Sequence, residues 1–290
     1  VDEGSFSAAA RKLNRVQSAV SGWVNALEEQ IGVVLFDRSG RFPKLTQQGE
    51  LLLADARNIV AGVDTLKARA KLMASGVEAE VSVVVDVFFP TAAITEAAKA
   101  FARRFPLIPL RIWVEGLGAA YQPLLEKRCG LGILATLPIS FPSLTSERLG
   151  DVPLIMVAAP DHPLARYGRQ IPRNELSKHV QLVLTDKSEL LSGRDYGVHS
   201  PSTWRLADLS TKYAFLKDCV GWGSMPLHMV ERDIATGQLV ALNIEGVPTA
   251  GYGLAMCAVY PPSTPPGPAA AWFVNHLKAW YGTAYPSANQ

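Results

Sequence analysis

Cysteine is scarce in this chain. Its 290 residues contain three, Cys129, Cys219 and Cys257, and no two are close in sequence. That spacing excludes a disulfide framework and a CxxC zinc or redox site, and it suits a reducing compartment. Long hydrophobic runs are also missing: no apolar stretch approaches the ~18–20 residues that span a bilayer. Val1-Asp2-Glu3-Gly4 has neither the basic nor the apolar segment of a secretion signal. A cytoplasmic location without membrane contact is therefore expected. Enzyme signatures are absent too. There is no GxSxG elbow, no phosphate-binding GxxxxGK loop, no HExxH and no GxGxxG opening a helix after a strand. His162, His179, His199, His228 and His276 are scattered and never fall at i,i+4. No catalytic residues, metal or cofactor are expected.

An excess of one charge is lacking as well, with 28 Lys+Arg against 26 Asp+Glu and a net charge of +2. The distribution is more informative. Residues 1–75 hold 10 basic and 8 acidic side chains, so residues 76–290 balance at 18 each. Within residues 4–49 the balance is 6 to 3, and Pro43 is the only one of 20 prolines before residue 76. A proline-poor, locally basic segment precedes a neutral, proline-rich body. An apolar content of 48% supplies an ordinary core and argues against disorder.

The first segment reads as two helices joined by a short turn. Ser5 or Ser7 caps a helix through Ala8-Ala9-Ala10 to Leu13, and Asn14-Arg15-Val16 breaks it. A second helix runs from about Gln17 to Gln30, with Ala19, Val20, Trp23, Val24, Leu27 and Ile31 on one stripe, and Gly32 closes it. Leu35 to Leu45 reads as a hairpin turning at Ser39-Gly40. Together these make a winged helix-turn-helix, in which the second helix docks its N-terminal residues in the major groove of DNA. Gln17, Ser18 and Ser21 occupy that turn, where glutamine can pair with adenine and serine can reach base or phosphate. Arg15 beside the turn, and Arg38, Arg41 and Lys44 in the wing, suit phosphates or the narrow minor groove.

Thr46 caps a long helix reaching Ser75-Gly76. Leu52, Ile59, Leu66 and Met73 stand seven apart in it, and Ala56, Val63 and Ala70 follow the first three by four residues. These are the d and a positions of a coiled-coil seam, because a lone amphipathic helix drifts off a strict seven-residue repeat. Self-association is expected, with packing on the chain's own body as the alternative.

From Val81 strands and helices alternate. Val81–Val85, Leu110–Val114 and Leu131–Leu134 read as strands around helices Thr91–Phe105 and Ala119–Arg128, implying a parallel sheet covered by helices. Further strands are expected at 152–159, 181–184, 239–242 and 252–260, with helices near 208–218, 226–236 and 269–281. Pro/Ser-rich runs at 136–149 and 261–266 read as two crossings between lobes. The expected fold is α/β: a helix-turn-helix over 1–45, a linker helix over 46–76, and a two-lobed solute-binding-like domain over 80–290. Its first lobe is 80–148 with 261–290, and its second is 149–260.

The motif blocks carry a resemblance. Gly4-Ser5-Phe6-Ser7-Ala8-Ala9-Ala10, Gln17-Ser18-Ala19-Val20-Ser21, Ala26-Leu27-Glu28-Glu29-Gln30-Ile31-Gly32-Val33, Leu35-Phe36-Asp37-Arg38 and Leu45-Thr46-Gln47-Gln48-Gly49 resemble LysR-type transcriptional regulators. Phe101–Pro106, Pro160–Ala165 and Gly237–Val240 resemble landmarks of that family's effector domain. The resemblance implies dimers that pair into tetramers on promoter DNA and respond to a small molecule. It also matches Gln17, Ser18 and Ser21 to DNA-contacting positions and Arg41 to a minor-groove wing residue. The family's motif starts roughly 15 residues, about four helical turns, before Val1. Most of a first helix is thus expected to be missing. Gly22 and Trp23 depart from the family's long polar residues. Gly22 costs about 1 kcal/mol of helix stability against alanine.

The resemblance places the effector between the lobes, at strand ends and helix N-termini. Asp86, Phe88, Phe89, Pro90 and Thr91 follow the first strand, and Glu115 and Leu117 follow the second. Thr185, Asp186, Trp204 and Gly223 are expected in cleft-facing loops of the other lobe. Phe88 and Phe89 stand where a small hydroxyl residue is common, which favours an aromatic or apolar effector. The leading expectation is an effector-responsive regulator. A solute-binding protein without DNA function is the alternative, and a thiol-based peroxide sensor is disfavoured by the wide cysteine spacing.

Overall fold

The computed structural model describes residues 1–40, 42–139, 141–191 and 193–284. The chain divides into two compact units, Val1–Lys71 and a second beginning at Leu72.

In the first unit α1 spans Phe6–Lys12 and α2 spans Gln17–Ile31. Ser5 is the cap, its hydroxyl accepting the Ala8 N–H at 3.1 Å. Asn14 takes a left-handed φ of 52° in the turn, a conformation asparagine tolerates better than most residues. Gly32 ends α2 with φ 71° and returns its N–H to the Glu28 carbonyl. Strands β1 (Phe36–Asp37) and β2 (Lys44–Leu45) pair antiparallel as the wing. The long helix α3 covers Gln47–Ala74. Thr46 caps it, accepting the Gly49 N–H and donating to the Val34 carbonyl. Gly49 is required here, since a Cβ would lie 2.3 Å from the Leu35 carbonyl oxygen.

The second unit is built on a mixed sheet, whose first three strands are parallel as the βα alternation predicts. Strand β3 (Val81–Asp86) is flanked in parallel by β4 (Leu110–Glu115) and β5 (Leu131–Ala135). Helix α4 (Thr91–Arg104) connects the first two. The helix expected at 119–128 is instead a 3-10 turn at Leu117–Ala120 and the single-turn α5 (Gln122–Leu125). Pro123 can occupy only the first turn of a helix, and the chain breaks soon after it.

The chain passes between the lobes on two strands rather than on the proline-rich runs expected to cross. β6 (Thr145–Ala158) and β11 (Tyr252–Tyr260) run antiparallel through both lobes. β5 pairs with the Met256–Val259 part of β11, whereas β9 (Trp222–Pro226) pairs with the Leu154–Ala158 part of β6. The Pro/Ser-rich 136–149 run thus supplies only a connection and the start of β6. Pro261–Pro266 leads into the last helix. A register shift at Met256/Cys257 marks the passage between lobes, and such bulges bend and twist a strand pair.

In the second lobe α6 (Arg173–Leu176) precedes β7 (Gln181–Leu184). β8 (Thr203–Leu206) and β9 flank β7 in parallel. Helices α7 (Leu209–Lys217) and α8 (Leu227–Ala235) follow β8 and β9. β10 (Val240–Ala241), shorter than expected, pairs with the end of β6. Among the described residues the sheet has nine strands. Helix α9 (Pro268–Ala284) packs on α4 through Phe101, Phe105, Trp272 and Phe273. Glu78 takes the N–H groups of Ala269 and Ala270, both at 3.0 Å, and so caps α9 from across the chain.

Candidate functional site

The first candidate surface is the N-terminal turn of α2. Gln17 and Ser18 are exposed and Ser21 is half-buried. Ser7 donates to the Gln17 side-chain oxygen at 2.8 Å, which orients the amide before any partner arrives. Val16 offers no side-chain cap, so no capping side chain satisfies the N–H groups of Gln17 and Ser18 at the start of α2. Free helix N-termini of this kind suit phosphate. Arg15 is exposed and, among the described residues, donates only to the neighbouring Asn14 carbonyl. Lys44 is exposed on β2. Arg41 lies outside the described residues. Trp23 is 55% exposed, so it is not a core residue, and the space beside Gly22 is open.

Arg38 is less available than its sequence position suggests. Its guanidinium pairs with Glu28 at 3.0 Å and stacks over Phe6 at 5.4 Å. The other Glu28 oxygen accepts the N–H groups of Leu35 at 2.7 Å and Phe36 at 3.0 Å. One carboxylate thus fastens the wing to α2. Glu28→Ala is expected to cost about 2–3 kcal/mol, because two backbone donors lose their acceptor. Glu28→Gln keeps one acceptor and should cost less than half of that. Denaturant unfolding and amide exchange at Leu35 and Phe36 measure both.

The seam residues of α3 fall into two groups. Leu52, Ala56 and Ile59 line an apolar groove of about 560 Å³ with Val24, Leu27, Ile31 and Leu45. Val63, Leu66, Ala70 and Met73 lie beyond that groove. Leu66 is 66% and Met73 55% exposed within this chain.

The second candidate site is a cavity of about 190 Å³ between the two lobes of the sheet. Phe88, Leu117 and Leu137 line it from the first lobe, and Leu182, Leu184, Tyr196, Lys212 and Ser224 line it from the second. Leu117 holds a φ of 54°, a strained value for leucine, beside the cavity. Gln181 also lines it, but its amide is committed. It accepts from His199 and Ser200 and donates to the Gly197 carbonyl.

The expected effector residues are dispersed around this cavity. Asp86 is fully buried behind Phe88, accepting the N–H groups of Phe88 at 2.9 Å and Ala135 at 3.4 Å. Burial without a cation pushes its carboxyl up to about 7. Phe89 points into the core against Tyr281, Pro90 is buried, and Thr91 is exposed at the start of α4. These three do not line the cavity. Glu115 and Thr185 line a separate space of about 200 Å³, where Lys187 stands 3.7 Å from Glu115. Asp186 accepts the Ala119 N–H at 3.0 Å and thereby clasps one lobe to the other. Trp204 and Gly223 are in strands, not loops. Trp204 stands 51% exposed on β8, which ends the sheet, and faces neither cavity. Gly223 underlies Lys212, where a Cβ would lie 2.6 Å from the Leu182 carbonyl oxygen.

Lys212 was not anticipated. Its signal is that Leu209, Lys212 and Leu216 are the buried residues of α7, spaced three and four apart. A lysine on the apolar stripe of a helix is what sequence inspection could have flagged. Among the thiols, burial raises Cys129 to about 11, far from the reactive thiolate a peroxide sensor needs. No group of three or more potential metal ligands occurs among the described residues, and no described helix is long and apolar enough to cross a membrane.

Comparison with known proteins identifies both domains. The bacterial regulatory helix-turn-helix protein, lysR family, matches residues 1–50, and the LysR substrate binding domain matches 74–282. The probable HTH-type transcriptional regulator YhaJ of Escherichia coli K12 is 31% identical over 255 residues, covering 83% of this chain and 82% of that protein. PunR of the same strain is 27% identical over 283 residues, 94% of this chain and 88% of its own. An OxyR cysteine mutant from Corynebacterium glutamicum superposes with a TM-score of 0.59 at 23% identity, over 98% and 90% of the two chains. Full-length CbnR bound to its target DNA gives 0.51 at 20%, over 96% and 95%. The chain therefore belongs to the LysR family: it is a transcriptional regulator with a DNA-binding helix-turn-helix and an effector-binding domain, and not an enzyme.

Proposed function

We propose that this regulator works in the cytoplasm as a homodimer or homotetramer that reads promoter DNA with α2 and its wing. A small molecule in the interlobe cavity modulates that reading. The observation that carries the DNA contact is the α2 N-terminus. Its polar turn is exposed, Gln17 is oriented by Ser7, and Glu28 holds the wing in place. Self-association rests on the exposed stretch of the α3 seam, Val63, Leu66, Ala70 and Met73, together with Leu52, Ala56 and Ile59. The effector acts by favouring one arrangement of the lobes over another, which requires different affinities for the two states. The strand bulge at Met256/Cys257 and the Asp186 clasp lie where such a change would pass.

A gel-shift titration over salt on DNA upstream of the gene tests the first part. Phosphate neutralisation should make affinity fall steeply with salt. Lys44→Ala should weaken all sequences alike and reduce the salt slope by about one. Gln17→Ala should cost about 1–3 kcal/mol on the operator and little on unrelated DNA. Binding without salt dependence or a footprint would overturn the reading.

A further inference from the structure

Lys212 is a cation in apolar surroundings. It is 2% exposed and sits on the inner stripe of α7 between Leu209 and Leu216. Its Nζ has one hydrogen-bond partner, Ser224 Oγ at 3.4 Å, and no carboxylate lies within ion-pair distance among the described residues. Burial lowers its ammonium to about 8, so the group still carries charge at neutral pH. Buried cations are costly unless an anion joins them. Gly223 leaves room for the lysine stem, whose Cε is 3.3 Å from where a Cβ would stand. The fold makes space for this charge at the wall of a cavity and then gives it no counter-ion.

We infer that the cavity binds a small organic monoanion, a carboxylate on an apolar body. The carboxylate sits on Lys212 Nζ and Ser224 Oγ, and the body lies against Phe88, Leu137, Leu154 and Leu254. The inference rests on the cavity being the effector site. One cation and one hydroxyl match the two oxygens of a carboxylate, whereas a phosphate would leave oxygens unpaired against apolar walls. A 150 Å³ apolar cavity is large enough for benzene, so about 190 Å³ accommodates a six-membered ring with a carboxylate. The aromatic or apolar character expected from Phe88 thus describes the body of the ligand, and Lys212 describes its head. Lys212 and Ser224 belong to the second lobe, Phe88 and Leu137 to the first. The ligand therefore stabilises the arrangement that brings them together.

Thermal melting of the full chain tests this with cyclohexanecarboxylate, phenylacetate and hexanoate, each beside its uncharged primary amide. At least one acid should raise the Tm by about 5 °C near saturation, and its amide should leave it unchanged. Lys212→Met should weaken that acid at least tenfold. It should also raise the Tm of the ligand-free protein, because an apolar chain of similar volume replaces a buried charge. Ser224→Ala should weaken the acid about threefold, and it decides the matter if Lys212→Met fails to fold. Acid affinity should fall as pH rises past 8. Amides binding where acids do not would overturn the anion and leave the cavity as an effector site. Acids binding equally well to Lys212→Met, or no binding of either class, would overturn the inference. Acids that bind as expected yet leave the operator footprint unchanged would support the anion site and sink the effector reading instead.

Discussion

A chain carrying Leu66→Glu and Met73→Glu should sediment as a monomer and bind its operator at least a hundredfold more weakly. Both side chains are more than half exposed in the single chain, although they lie on the apolar repeat of a 28-residue helix. Burying a leucine or methionine contributes about 1.5–3 kcal/mol, and a dimer seam collects that gain from both helices. A carboxylate in its place has no partner in the seam and must be desolvated. The loss carries to DNA because two linked readers bind adjacent half-sites as one event, with an effective concentration near millimolar. Asn58→Glu is the control: Asn58 is exposed on the same helix but off the repeat. Sedimentation and gel shift read both variants. A double variant that remains dimeric with unchanged affinity would mean that the seam packs elsewhere. The groove that already engages Leu52, Ala56 and Ile59 is the reason for choosing positions beyond it.

The second large effect concerns Asp86. Its carboxyl titrates at about 7 in the folded chain, against an ordinary value of 3.8. Between those values the native state keeps a proton that the unfolded chain has released. Stability from this group is therefore complete below about pH 4 and is lost as pH rises through 7. The full change is about 4 kcal/mol. Asp86→Asn removes the titration while keeping an acceptor for the Phe88 N–H. The variant should gain on the parent from pH 5 to pH 8.5, with urea unfolding as the measurement. Histidines titrate in both proteins and cancel in the difference. A constant difference across that range would show that Asp86 is ionised throughout. The local consequence lies at Phe88, whose N–H the carboxyl holds and whose ring lines the cavity. Tyr121 feels the Asp86 charge, and burial keeps it neutral by raising it to about 12.

The DNA-reading half was legible because its signals are local. Ser5, Asn14, Gly32 and Thr46 act on backbone groups within a few residues of themselves. Their roles in starting, turning and ending helices therefore follow from residue type. The seven-residue repeat of α3 is likewise a property of one helix. In the second unit the βα alternation was visible for the same reason, as were β3, β4, β5, β7 and β11. The short strands β8 and β9 were not, because Thr203–Leu206 and Trp222–Pro226 are too short for period-two alternation to stand out. Trp204 was assigned to the cleft for want of that information.

Sequence alone determined the family, the helix-turn-helix, the wing, the linker helix and the presence of an α/β body. Each is written in spacing that a single element must obey. Tertiary structure decided what depends on segments far apart in the chain. Glu28 holds a wing that follows α2, Glu78 caps a helix that begins about 190 residues later in the chain, and Asp186 reaches across to Ala119. It alone carried the passage between lobes onto the antiparallel pair β6 and β11, because strand pairing is satisfied by a distant partner. It alone buried Lys212, since whether a lysine on a helix faces water or a cavity is decided by what packs against that helix. Local propensity has no access to that information, and the chemistry of the effector cavity depends on it.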